Sequence, residues 1–261
     1  MADTELFSLG TWIAFYSIAL IAGVTQGAFG FGYPAIATPT LVLFTDVKTA
    51  IVVNMVPNLC VNFLSILRGG NYRASLLPHW PVAVYTLIAS FLGALFLIVA
   101  PGEPLRLALA LMVFAYLYSD RIRALDWSWL HRRPRTGQLV FGSIGGFFSG
   151  TVNLSMPPLL IYFMLLELAP TAMAQILNLC FFGGRLIQGV TLGLAGELPP
   201  GIMLYTLPTA VVAVGGLYFG GWVQDKIDAR LWRKALRGVL LIMGCALTWQ
   251  GGSWIWQHWL R

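Results

Sequence analysis

From Leu6 to Thr45 the chain carries no formally charged residue, yet the run is not a uniform apolar rod. Its middle, "GVTQGAFGFGYPAIATP" from Gly23 to Pro39, holds four glycines and two prolines, which a continuous membrane helix tolerates poorly. Apolar segments of spanning length follow at 47–67, 80–100 and 105–119. A polar break comes next, "DRIRALDWSWLHRRPRTG", with five arginines. The pattern then restarts. An uncharged stretch from Thr136 to Leu166, broken by "GGFFSGTVNLSMPPLL", precedes further segments at 171–195, 201–223 and 238–255. The segments are apolar all round rather than alternating, which fits a helical bundle and not a transmembrane barrel.

The two halves are related. At an offset of 123 residues Gly23 falls on Gly146, Gly27 on Gly150, Pro34 on Pro157 and Gly93 on Gly216; one residue of slippage brings Asn54 onto Asn178. Basic residues favour the cytoplasmic side, so the arginine-rich break is placed there. If each broken stretch enters and returns on the same side, the basic turns at 68–73 and 226–237 also become cytoplasmic, and the poorly charged "PGEPL" and "GELPPG" turns fall outside. A single crossing would put 226–237 outside, against that rule. The predicted architecture is an all-α integral membrane protein of two inverted repeats, each a broken glycine-rich helical hairpin plus three transmembrane helices. Residues 1–119 form the first repeat with its hairpin at 8–44, 120–137 the basic cytoplasmic loop, and 138–261 the second repeat with its hairpin at 138–167. Both termini are expected outside the cytoplasm.

Composition agrees. Hydrophobic residues make up 58% of the 261 and charged residues 10%, with a mean hydropathy of +0.77, whereas soluble domains carry about 25% charged residues. The net charge of +6 sits in loops flanking apolar spans, with no basic face interleaved with aromatics, so nucleic acid is not an expected partner. Cys60, Cys180 and Cys245 lie in apolar helices without CxxC spacing and read as packing residues. The opening "MADTELFSLG" lacks Lys and Arg and does not read as a cleaved leader.

Irregular backbone at membrane depth survives only beside a cavity or buried in protein. Paired short helices meeting in the membrane recur in transporters as the substrate site, and their N-termini suit anions. Backbone donors near Gly27, Gly30 and Gly32, and near Gly150, Asn153 and Ser155, are therefore candidate ligands, with Thr25 and Gln26 beside them. Asn54, Asn58, Asn62 and Ser65 share one helix face, and Gln175, Asn178, Arg185 and Gln188 form a looser stripe. Arg185 stands near the centre of its span, where a charge is costly and the guanidinium fork suits an oxyanion. Glu167 at the hairpin end is the acid best placed to approach it. Competing readings remain: kinked helices packing through small residues, interhelical hydrogen bonds, and a structural pairing of Arg185. His79, at a helix start, reads as an interface histidine or a proton carrier.

The stretch "GVTQGAFGFGYPAIATPTLVL", its echo "GFFSGTVNLSMPPLLIYFML" and the chain length resemble the TauE/SafE family of sulfite and organosulfonate exporters, also called the toluene-sulfonate uptake permeases. The resemblance implies transport of small sulfur-containing anions across a bacterial inner membrane, most often export. The substrate is then expected between the hairpin tips, held by Gln26, Gly27, Gly30, Gly32, Asn54, Asn58, Gly150, Asn153, Ser155, Asn178 and Arg185. No cofactor, metal or catalytic group is expected; the partners are the anion and membrane lipid, with monomer and homodimer both open. Uptake or channel-like conduction are the alternatives within transport. A membrane scaffold or sensor subunit is a further class, and an intramembrane enzyme another. The chain lacks HExxH, GxSxG and paired-aspartate motifs.

Overall fold

The computed structural model describes residues 9–68, 77–226 and 228–259. Residue 8, where the first hairpin is expected to begin, and most of the basic turn at 68–73 lie outside the described residues. Within them the chain is helical, with no strand. The first half runs α1 (Leu9–Phe29), α2 (Tyr33–Val42), α3 (Val47–Val53), α4 (Met55–Arg68), a 3₁₀ turn at Leu77–His79, α5 (Trp80–Val99) and α6 (Gly102–Leu117). Short helices α7 (Ser119–Arg123) and α8 (Ser128–Arg132) occupy much of the expected basic loop, and Pro134 already opens α9 (Pro134–Val152). There follow α10 (Met156–Leu165), α11 (Pro170–Leu194), α12 (Pro200–Tyr205), α13 (Leu207–Val223), a 3₁₀ turn at Gln224–Lys226 and α14 (Ala229–Trp259).

Proline sets most of these starts. It occupies the first or second position of α2, α5, α9, α10, α11, α12 and α13, where its missing N–H has no helical partner to lose. Asp46 caps α3 by accepting the Thr49 N–H at 3.0 Å. Asp126 accepts the Ser128 N–H at 2.9 Å, which holds its carboxyl below the usual carboxylate range.

Two segments expected as single helices are each broken. The 47–67 segment bends by 49° between α3 and α4, because Pro57 cannot donate to the Val53 carbonyl and its ring crowds it. The 201–223 segment parts at Thr206, two residues before Pro208. Both hairpins are lopsided. α1 has 21 residues and α9 has 19, while α2 and α10 have 10 each. At 1.5 Å per residue the long arms reach about 30 Å and the return arms only about 15 Å.

Burial departs from that of a water-soluble bundle, because a largely apolar interior also takes in polar and charged side chains while large apolar ones face outward. Gln26, Asn62, Arg185 and Gln188 are all completely buried, whereas Ile21, Leu92, Val99, Leu194 and Val211 are exposed. An apolar outer belt with the polar side chains drawn inside is what a lipid solvent requires. Gly10–Phe29, Leu77–Val99 and Pro170–Leu194 are each long and apolar enough to cross a membrane, and the bent α3–α4 pair makes a fourth such span.

The long arm of each hairpin packs on a helix of the other half, α1 on α13 and α9 on α5. Glycine makes these seams close. A Cβ at Gly23 would lie 2.2 Å from the Ala213 carbonyl oxygen, and one at Gly146 2.3 Å from that of Thr86. α4 packs on α11, and α6 on α14.

Candidate functional site

The first break is a tight three-residue turn between Phe29 and Tyr33. Gly30 (φ 80) and Gly32 (φ 123) both take left-handed conformations that only glycine adopts cheaply. Gly30 N–H donates to the Gln26 carbonyl at 2.8 Å, and Tyr33 N–H donates to the Gln26 side-chain oxygen at 2.9 Å. The first donors of α2 are thus occupied within the protein, and Gly27 lies inside α1 rather than in the turn. Thr25 spends its hydroxyl on the Ile21 carbonyl. The other end of the Gln26 amide crosses to the second half: Nε2 donates to Asn178 Oδ1 at 2.6 Å and to Ser65 Oγ at 3.0 Å. Asn178 in turn donates to the Gly30 and Ala174 carbonyls, each at 2.7 Å.

The second break uses different chemistry at the matching place. Asn153, the counterpart of Gly30 at the 123-residue offset, takes the left-handed conformation (φ 57, ψ 29) that ends α9. Its side chain joins the halves, with Nδ2 donating to Thr38 Oγ1 at 2.7 Å and Oδ1 accepting from Asn58 at 3.3 Å. Asn54 reaches the same Thr38 oxygen at 3.1 Å. Asn62 donates to the Asn58 carbonyl at 2.8 Å and to its side-chain oxygen. Ser155 starts α10 without capping it. Gly150 sits inside α9, where a Cβ would meet the Ser90 carbonyl oxygen at 2.1 Å.

Arg185 is fully buried on α11. Its Nη1 donates to Gln188 Oε1, and Gln188 Nε2 is anchored on the Gly150 carbonyl at 2.6 Å. Nε and Nη2 have no hydrogen-bond partner among the described residues. These two N–H groups form the side-on edge of the guanidinium, the edge that binds an oxyanion through two parallel bonds. The expected approach of Glu167 does not occur: it sits exposed in the turn before α11, and the ion pairs among the described residues are Arg106–Glu103 and Arg237–Asp120.

A cavity of about 390 Å³ opens beside the first hairpin. Of the expected site residues Gln26, Gly27, Gly30 and Asn178 line it; Gly32, Asn54, Asn58, Gly150, Asn153, Ser155 and Arg185 do not. The expected single constellation is therefore divided: Gln26, Gly27, Gly30 and Asn178 stand at the cavity, Asn54, Asn58 and Asn153 are joined at Thr38, and Arg185 is linked through Gln188 to Gly150. Sequence reasoning passed over Thr38, which joins Asn54 to Asn153, and Arg68, which lines the cavity. The signals were a hydroxyl on a short buried helix and a cation continuing the Asn62 and Ser65 face. His79 stacks edge-on against Phe163 with ring centres 6.0 Å apart.

A family model described as sulfite exporter TauE/SafE matches residues 15–247. No curated protein matches the chain, and neither does any solved structure.

Proposed function

The chain belongs to the sulfite exporter TauE/SafE family, a family of membrane transporters of sulfur anions, and we propose that it exports small sulfur-containing anions, sulfite or sulfonates such as taurine or sulfoacetate, by alternating access. One observation carries this reading: the side-on edge of Arg185 is buried, charged and without a partner among the described residues. An unpaired buried ion costs several kcal/mol, a cost that a bound oxyanion relieves. The fork matches a planar pair of oxygens on a sulfite or sulfonate group.

The inverted-repeat reading is supported by how the elements pair. α1 lies on α13 as α9 lies on α5, and α2 meets α14 as α10 meets α6, while α4 faces α11 and α6 faces α14, each its own counterpart. Such a pattern suits rocking of one repeat against the other about a fixed site. The protein then sits in a bacterial inner membrane, with its arginine-rich segment in the cytoplasm and both termini outside.

Sulfite efflux from proteoliposomes tests the role of Arg185. Arg185→Ala is expected to abolish saturable flux. Arg185→Lys, which keeps the charge and loses the fork, is expected to raise the half-saturating concentration at least tenfold. Wild-type saturation in the Ala variant would refute the assignment.

A further inference from the structure

The cavity beside the first hairpin is not explained by a site at Arg185. Gln175 and Arg185 are ten residues apart on α11, about 15 Å of helix rise, and Arg185 does not line the cavity. Its volume of about 390 Å³ is in the range of small-molecule pockets. A water molecule's share of liquid is about 30 Å³, so the space far exceeds one bare inorganic oxyanion. It has room for an anionic head carrying an organic body.

The wall is specific about that body. Arg68 is the cation among the described lining residues, and no carboxylate stands among them. Its guanidinium is steadied by a bond from Nη1 to the Leu217 carbonyl at 3.2 Å and by the Tyr218 ring, 5.5 Å away. Gln26 and Asn178 spend their amides on each other and on Gly30. Gln175 does not. It lines the cavity, is 1% exposed, and both its amide nitrogen and its amide oxygen lack a hydrogen-bond partner among the described residues. An unsatisfied buried amide is costly, and this one offers a donor and an acceptor together. A hydroxyl group is both acceptor and donor and satisfies both ends. An ammonium can only donate, and a plain alkyl group satisfies neither.

Resting on the transport reading above, we infer that the cavity is a second, peripheral substrate site for a short hydroxyl-bearing alkanesulfonate, with Arg68 holding the sulfonate and Gln175 the hydroxyl. Binding of 2-hydroxyethanesulfonate, ethanesulfonate and sulfite to the full chain in lipid nanodiscs, measured by titration calorimetry, tests it. The hydroxylated sulfonate is expected to bind at least tenfold more tightly than ethanesulfonate. Gln175→Leu is expected to erase that difference and leave sulfite unchanged. Equal affinities for the two sulfonates in the wild type, or a Gln175→Leu variant that weakens sulfite to the same degree, would overturn the site. Gln175→Glu places a carboxylate in the wall and is expected to weaken both sulfonates at least tenfold; unaltered binding overturns the inference even if the Leu variant fails to fold. Arg185→Ala is expected to lose sulfite and retain 2-hydroxyethanesulfonate. Loss of both would put the ligand at Arg185, removing the peripheral site and leaving the transport reading standing. A wild type that binds none of the three removes both.

Discussion

A methyl group added at Gly27 would sit 2.0 Å from the Leu217 carbonyl oxygen. Backbone cannot yield as a side-chain tip can, so Gly27→Ala and Gly150→Ala are each expected to cost about 1–3 kcal/mol by overpacking. Gly193→Ala and Gly215→Ala, where a Cβ meets nothing within 4 Å, are expected to be neutral or slightly stabilising. Thermal unfolding in detergent separates the two sets, and equal melting temperatures would contradict the close-seam account. Asn153 is a different case, because its backbone is left-handed and its side chain bridges Thr38 and Asn58. Asn153→Gly loses the bridge alone; Asn153→Ala is expected to lose about 1–2 kcal/mol more from the strained conformation. Melting temperatures that do not rank Gly above Ala would refute the cap. These residues also mark where sequence reading fails. A glycine cluster looks the same whether it turns the chain, as at Gly30 and Gly32, or lets helices touch, as at Gly27 and Gly150. An asparagine looks the same whether it is a ligand or a helix cap.

Whole elements were more legible than single residues. Uncharged runs and glycine and proline clusters locate the breaks after Phe29 and after Val152, because lipid leaves few ways to thread such segments. The breaks at Asn54 and Thr206 were missed, since Pro57 and Pro208 sit inside runs whose hydropathy alone reads as continuous helix. The hairpins also differ in how they are fastened. Gln26 ties the start of α2 to α11, whereas Ser149, its counterpart at the 123-residue offset, approaches Gly184 and Ser90. Gln26→Leu therefore leaves the Tyr33 N–H without its acceptor and frees the first hairpin from α11. Amide hydrogen exchange is expected to speed up at Tyr33 at least tenfold while the start of α10 keeps its wild-type rate. Equal acceleration at both hairpins would mean that Gln26 is a general stabiliser and not a local clasp.

The whole molecule sets how transport is driven. The cavity lies beside the ends of α4, α11 and α13 (Arg68, Pro170 and Gln224), the side that the proposed orientation puts in the cytoplasm. Two guanidinium groups then lie along the same pair of packed helices, Arg68 on α4 and Arg185 on α11. Among the described residues every acid stands at a helix end or in a turn, so no carboxylate within a span is placed to carry a proton alongside the anion. An anion crossing alone moves charge, and an inside-negative potential pushes it outward by about 2.3 kcal/mol per charge at 100 mV. At about 1.4 kcal/mol per tenfold, the equilibrium distribution of a singly charged sulfonate should shift by about fiftyfold between 100 mV and zero. Proteoliposomes clamped with potassium and valinomycin measure that ratio directly. A distribution indifferent to voltage would require a compensating ion to travel with the substrate, and the charge-alone mechanism would have to be abandoned.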